Sequence, residues 1–573
     1  MIPVWFGRDD ERCFGWWHVP ESGNARGAAI LCPPLGMEQL VAHRTMRTLA
    51  QEVATRGIAA FRFDYPGTGD SSGDLHGPHL VQAWRTSIRL AVDQARVAGM
   101  DHVALVGLRM GANLAWSALA HGLEATQVVL WDPCPSGAGF LREKRALQLL
   151  EFPETAESNT DSAGVDTPGF YYPADILADL RGVTVDPASI DHVSDRLHVE
   201  GGSADFNRIL LLTRPDKAVG TKIRALGVST SVDLLETTNQ DRLFDVPDIL
   251  ACVPQQTVRE VVTWLSERMP VSSVRCAVRG IDSAVVGSGV DDVRVREQAT
   301  LIGDRGLFAM VTEGADTRGP TVFLTNTAVT YHVGPGRMWV ELARLLATRG
   351  FRVVRFDVGD VGDGASGTTP DGPFYYSKDS LADSAEVVRA FTREPKDSVI
   401  VGLCSGSWVA LRLTGDLGVG RAILLNPLTL RRRMRRMGPH GRTIPSIRIA
   451  VHKRASRWRP VRWLAVSGWR ALATLHVVSS TTAALCSRRT GESDITVLVG
   501  REELASYTMA LPFFGRRRVR KSANVHVTFI DNGDHALLTR DVRDQYFDAV
   551  LSEFVAPGDE HIGLSTQGTR TFG

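Results

Sequence analysis

The chain contains one long unit twice. HRTMRTLAQEVATRGIAAFRFDYPGTGDSSG (43–73) returns as GRMWVELARLLATRGFRVVRFDVGDVGDGAS (336–366), with ATRG identical at 54–57 and 347–350, an offset of 293 residues. GAAILCPP (27–34) returns as GPTVFLTN (319–326), and HVALVGLRMGANLAWSAL (102–119) returns as SVIVGLCSGSWVALRL (398–413). Three elements in one order and nearly one register imply an internal duplication. A chain of 573 residues is also too long for one core, so two like domains are expected.

Each copy alternates short aliphatic runs (IAAFRF, VALVG, VVLW; RVVRF, SVIVG, AILLN) with amphipathic stretches. Continuous apolar runs suit parallel strands buried on both faces, and the amphipathic stretches suit crossover helices. The expected fold class is therefore α/β: two tandem doubly wound sheets, each with an inserted cap, and with chemistry at the carboxyl ends of the strands. The first domain is expected over 1–270 with a cap at about 134–206, where ESNTDSAGVDTPG (157–169) reads as a loop before FYY. The second is expected over 271–556 with a cap at about 427–494, and residues 557–573 read as a polar, flexible tail. Pro270 and Ser272–Ser273 break the helical pattern TVREVVTWLSERM (257–269), and 293–313 reads as two strands around a glycine turn.

The elbow is the most informative segment. VIVGLCSGSWVALRL puts Gly402, Cys404 and Gly406 in a G-x-nucleophile-x-G turn between strand and helix, which needs small residues where the two backbones crowd. Cys404 then projects at a helix N-terminus, whose dipole favours a thiolate. After the strand TVLVG (496–500) comes REE, and after NVHVTFI (524–530) comes DNGDHALLT with His535. This is the chain order nucleophile, acid, histidine. His535 is the expected base, and Glu503 or its neighbour Glu502 the expected acid. Oxyanion donors are expected from the Ser405 amide and from Thr327 or Ala328 in the loop after the first core strand. Ser405 as a nucleophile is disfavoured, being one residue past the apex. Asp357 and Asp360 read as loop ties, with Arg355 as a partner.

On the blocks R-F-D-x-x-G-x-G-D-S, G-x-C-x-G and G-D-H-x-L-L, both halves resemble the α/β-hydrolase superfamily, in its serine or cysteine hydrolase and acyltransferase branches. With RFDYPGTGDSSG, GLRMGANLA and VVLWDPCPSGAGFL, the first half also resembles hydrolase-like proteins associated with exosortase gene clusters. Cysteine at 404 departs from the usual serine and resembles dienelactone-hydrolase-like relatives. The resemblance implies a cysteine-dependent acyltransferase working through an acyl-Cys404. A thioesterase or esterase with the same triad is the alternative, and a non-catalytic scaffold or carrier-binding module the rival from another class.

Only the second domain is expected to be active. The first has Arg109 at the nucleophile position, and aligning the strand ends puts Asp216 at the acid and Arg242 at the histidine. A guanidinium stays protonated and cannot attack. Arg109, Asp216 and Arg242 therefore form either an internal ion network, in which Asp216 neutralises one arginine, or a pocket for a carboxylate or phosphate.

The net charge of +1 conceals a polarity: Leu417 to Gly491 holds sixteen Arg and Lys and no acid. Arg432, Arg433, Arg435 and Arg436 lie in this basic lid and are the expected contacts for an anionic donor. No bound cofactor or metal is expected. The fitting substrate is linked to coenzyme A or phosphopantetheine, with an acidic acyl carrier protein as a possible partner. Other anionic substrates, or a solvated face answering acidic surface in a homodimer, are alternatives; nucleic acid and membrane fit less well. Seven scattered cysteines without a CxxC pair, and an N-terminal MIPVWFGRDDERCFGWW unlike a signal peptide, make a cytoplasmic location the expectation.

Overall fold

The computed structural model describes residues 1–8, 11–76, 79–153, 164–197, 207–217, 219–287, 293–364, 376–427, 485, 492–500, 503, 524–531, 534–554 and 569–570. The chain divides into two compact units, Met1–Gln298 and Ala299–Gly573. Each is built on a large mixed sheet, as an α/β fold requires.

In the first unit eight strands lie in the spatial order Ile2–Arg8, Glu11–His18, Ala59–Phe63, Ala28–Cys32, Val103–Leu108, Gln127–Trp131, Ile209–Thr213 and Val232–Glu236. The first two form an antiparallel hairpin that joins Ala59–Phe63 antiparallel, and the remaining pairings are parallel. Alternate residues of the central strands feed two cores. Ala28, Ile30 and Cys32 pack with the helices Leu80–Val97 and Met110–Ala120, while Ala29 and Leu31 pack with Met37–Thr55 and Gln255–Arg268. Both faces are thus covered, which is why these strands read as unbroken apolar runs.

The second sheet repeats that order with Arg294–Ile302, Leu307–Glu313, Arg352–Phe356, Thr321–Leu324, Ser398–Leu403, Arg421–Leu425, Asp494–Gly500 and Val525–Ile530. From Arg352–Phe356 to Val525–Ile530 every pairing is parallel. The helices Met338–Thr348 and Arg540–Ser552 bury Leu342, Leu346, Tyr546 and Val550 against one face.

Three segments differ from the pattern read in the sequence. The helix Gln255–Arg268 ends before Pro270 as read, but Val274–Arg275 then pairs with Asn24–Ala25, so the first unit runs on past Pro270 to Gln298. Val165–Thr167 is a strand paired with Phe170–Tyr172 around Gly169, so the loop expected over 157–169 ends in a hairpin; residues 154–163 lie outside the described residues. In the tail, the backbone of Thr569–Arg570 pairs antiparallel with Phe529–Ile530. Among the described residues no helix is long and apolar enough to cross a membrane, and the six cysteines described are free thiols.

Candidate active site

The strand Ser398–Leu403 ends in a turn whose apex is Cys404, at φ 55° and ψ −109°, and the helix Ser405–Leu417 follows at once. Such a backbone is strained for a residue with a side chain, and it persists because its surroundings hold it. The Cys404 amide donates to Leu425 O at 3.0 Å. A Cβ on Gly402 would run into the Gly406 backbone, and one on Gly406 would strike Thr325 Oγ1 and Asn326 O, so glycine is required at both. The half-buried Cys404 side chain is left at the carboxyl edge of the sheet.

Glu503 and His535 follow the ends of the strands Asp494–Gly500 and Val525–Ile530, beyond the neighbouring strand Arg421–Leu425. His535 lies close enough to Cys404 and to Glu503 for the charge of both to act on its imidazole. Its Nδ1 lies 3.1 Å from Glu503 Oε1, off the direction of the ring N–H, so the contact acts as a close ion pair more than as an aligned hydrogen bond. Burial disfavours the imidazolium, but negative charge on the Cys404 sulfur and on Glu503 outweighs it and holds the His535 pKa well above the ordinary value. The His535 side chain is 34% exposed, so this pull is partly screened. Glu502, the other candidate acid, lies outside the described residues.

Asn426 organises these loops, and the motif search did not single it out. It is fully buried at φ 41°, directly after the strand Arg421–Leu425. Its Nδ2 donates to Asp534 O at 3.0 Å and His535 O at 3.2 Å. Its Oδ1 accepts Gly500 N at 2.8 Å and the Tyr546 hydroxyl at 2.6 Å. One amide therefore joins the strand end before Glu503 to the turn carrying His535. Asp534 stiffens that turn by accepting from Leu538 N, Thr539 N and Thr539 Oγ1. A signal was present: Asn426-Pro427 stands opposite Asp132-Pro133 in the repeat, and Asp132 shares the positive φ, at 48°.

The oxyanion loop departs from expectation. The Ala328 amide, an expected donor, gives its hydrogen to Ser405 Oγ at 2.7 Å. Ala328 sits at φ 49°, and the loop around it is clamped from below. Asp357 accepts from Asn326 Nδ2 (3.0 Å), His332 N (2.7 Å) and Asp363 N (2.8 Å), and pairs with His332 Nδ1 at 2.7 Å. The Asp357 loop tie inferred from the sequence is present in these bonds. The first unit uses the same device, with Asp64 accepting Gln39 Nε2 at 2.7 Å and Asp70 N at 3.1 Å. Among the described residues His332, Asp357 and Asp363 bring ligand atoms within 4.8 Å of one another, yet the oxygens of Asp357 are engaged in the clamp. Thr327, the other expected donor residue, is buried next to Ala328, and its hydroxyl has no partner among the described residues.

At the equivalent elbow Arg109 has φ 54° and ψ −123°, so the backbone survives although the chemistry does not. Its Nε lies 3.2 Å from Glu38, Nη1 3.5 Å from Asp132 and Nη2 3.0 Å from Glu143. Lys144 bridges Glu38 and Glu143 at 2.6 and 3.1 Å. Each guanidinium nitrogen faces a carboxylate, which is an internal ion network and not a fork left open for an anion. Burial pushes the other way, but Arg109 and Lys144 hold the Glu38 pKa below its usual range. The Asp132 carboxyl, where burial wins over Arg109 and Arg214, is pushed up to about 6. Asp216 does not neutralise Arg109 or Arg242 as expected; it pairs with Arg214 at 2.5 Å, which also meets Asp245. Arg242 is exposed, with Nη2 3.7 Å from the Cys252 sulfur. The three degenerate positions are thus dispersed because nearer partners capture each. Arg432, Arg433, Arg435 and Arg436 lie outside the described residues.

Residues 330–549 match the family model described as the alpha/beta hydrolase family. No curated protein matches the sequence. Among solved structures, the chain is similar to Est1E from Butyrivibrio proteoclasticus with ferulic acid bound, at 15% identity over 46% of this chain and 98% of that one, with a TM-score of 0.33. A soluble variant of monoglyceride lipase from Saccharomyces cerevisiae, in complex with a substrate analog, aligns at 12% identity over 47% and 97%, TM-score 0.33. The thioesterase domain from the curacin biosynthetic pathway aligns at 14% identity over 44% and 99%, TM-score 0.27. With the family match over residues 330–549, the C-terminal part of this chain has the α/β-hydrolase fold.

Proposed function

We propose that the second unit is a cysteine-dependent acyl-transfer enzyme that takes an acyl group from a thioester or ester donor through a covalent acyl-Cys404. The observation that carries this reading is the His535 imidazole 3.1 Å from the Glu503 carboxylate and within electrostatic reach of Cys404, which stands at the apex of a nucleophile elbow. In this reading the thiolate attacks the acyl carbon, and His535 gives its proton to the leaving group. An acceptor deprotonated by His535 then resolves the thioester. Amines and thiols attack thioesters well relative to water, which favours transfer wherever an acceptor is bound. The basic lid, with Arg432, Arg433, Arg435 and Arg436, would hold the phosphates of coenzyme A or phosphopantetheine, or an acidic carrier protein.

Short acyl thioesters and intact-mass measurement test the covalent step. The expected result is one acyl adduct that maps to Cys404. Absence of an adduct, with Cys404 alkylated no faster than the other cysteines, sinks the reading and leaves a scaffold. Hydrolysis is the second reading, favoured by the hydrolase family match over residues 330–549. Single-turnover release from isolated acyl-Cys404, with and without amines, alcohols and carrier thiols, separates the two. Equal fast release of free acid under every condition makes the protein a thioesterase or esterase. The first unit, whose Arg109 is locked among Glu38, Asp132 and Glu143, is proposed as non-catalytic.

A further inference from the structure

We infer that the Ser405 hydroxyl, and not the Ala328 amide, is the second donor to the oxyanion formed at Cys404, an inference that rests on the acyl-enzyme reading above. Ser405 is 4% exposed, and its Oγ accepts the Ala328 N–H at 2.7 Å. That bond occupies the amide an acyl oxygen would otherwise use. A hydroxyl that accepts one hydrogen bond still has its own O–H to give. No acceptor for it lies among the described residues. A buried donor left unsatisfied is costly. A ligand oxygen arriving beside Cys404 relieves that cost.

The surroundings favour this use. Ser405 is the first residue of the helix Ser405–Leu417, so its own N–H has no acceptor within the helix and points out of its end. One residue, adjacent to the nucleophile, therefore offers both an N–H and an O–H. Ala328 holds the hydroxyl oxygen and polarises its O–H, while the Asp357 clamp fixes the Ala328 loop. The Thr327 hydroxyl has no such orienting group among the described residues. In the first unit the residue after the elbow is Met110, which has no hydroxyl, so the serine accompanies the nucleophile and is missing where the nucleophile is missing.

The step balances without a further reagent. The thiolate pair forms the C–S bond, and the carbonyl π pair moves to oxygen, which accepts from Ser405 N–H and Oγ–H. On collapse the C=O re-forms, the bond to the leaving group breaks, and the leaving atom takes the proton from His535.

Two reactions of Cys404 separate this role from a structural one. Acylation by a short acyl thioester passes through an oxyanion, whereas alkylation by iodoacetamide does not. In Ser405→Ala, acylation is expected to fall about 100-fold, while alkylation changes less than about threefold. Ser405→Thr, which keeps the hydroxyl, should recover most of the acylation. If Ser405→Ala acylates as fast as the wild type or faster, the hydroxyl is a plug on the Ala328 amide and the inference is overturned. Equal falls in both reactions overturn it too, since the variant has then altered the thiolate. A wild type that alkylates at Cys404 but never acylates overturns the acyl-enzyme reading itself, and this inference with it.

Discussion

Asn426 Nδ2 donates to the main-chain oxygen of His535 at 3.2 Å, so a buried amide on one strand end holds the histidine turn of another. Asn426→Asp keeps the shape but turns this donor into an acceptor facing the carbonyls of Asp534 and His535. We expect acylation to fall at least about tenfold and stability to drop by about 1–3 kcal/mol. The pH profile of Cys404 alkylation should also move toward that of an unassisted thiol. Lost stability with an unchanged alkylation profile would show that Asn426 supports the fold alone.

The direction of the His535 shift sets a pH expectation. Burial opposes the imidazolium, but charge at Cys404 and Glu503 prevails, so the imidazolium is kept to higher pH than in a free imidazole and is lost as pH rises through the raised value. Removing the imidazole by His535→Gln should slow iodoacetamide alkylation near pH 6.5 and leave a rate that climbs through the ordinary thiol range, about 8.5. Glu503→Gln should give a smaller shift in the same direction. Identical profiles for wild type and His535→Gln would refute the pair.

Restoring a thiol to the first unit should not restore a site. Arg109→Cys places sulfur on an equivalent elbow, but Asp216 is held by Arg214 and Arg242 is exposed beside Cys252. It also leaves Glu38, Asp132 and Glu143 without a countercharge they now share. The expected outcome is a destabilised protein with no acyl adduct at position 109 by peptide mapping. An adduct there would mean that some other base serves the elbow.

Asp132 gives the first unit a pH-dependent weakness. Its folded pKa of about 6 lies above the usual carboxyl value, so the stability it contributes is complete below about 4 and is lost as pH rises through about 6. Asp132→Asn, which installs the residue the second unit has at Asn426, should remove that loss. Thermal unfolding at pH 4.5 and 7.5 should show the variant gaining roughly 1–3 kcal/mol over the wild type between the two. A constant difference across this range counts against the shift.

The basic stretch Leu417–Gly491, proposed above as an anion-binding lid, predicts a salt effect. Replacing Arg432, Arg433, Arg435 and Arg436 by Gln should weaken binding of a coenzyme A thioester more at low than at high ionic strength, because salt already screens part of the attraction. Binding can be followed by calorimetry with the full chain. An equal loss at both salts would mean that the arginines act through packing and not charge.

The duplicated α/β plan was legible in the linear chain because strands buried on both faces write themselves as local apolar runs, and IAAFRF and RVVRF need no distant residue to be recognised. The elbow was legible for a similar reason: the clash of a Cβ at Gly402 or Gly406 arises among residues that are neighbours in sequence or in the adjoining strand. His535 followed from its order after the last strand. Side-chain direction at the strand ends was not legible. Whether Glu503 reaches the imidazole, whether Asp216 pairs with Arg109 or with Arg214, and whether the Ala328 amide stays open or binds Ser405 Oγ depend on vectors at the ends of strands far apart in the chain. Asn426 is the clearest case, since its four partners come from residues 500, 534, 535 and 546, and only the folded sheet brings them to one amide. Hydrogen bonds of that kind act over about 3 Å and depend on angle, so a shift of one residue along a loop exchanges one partner for another.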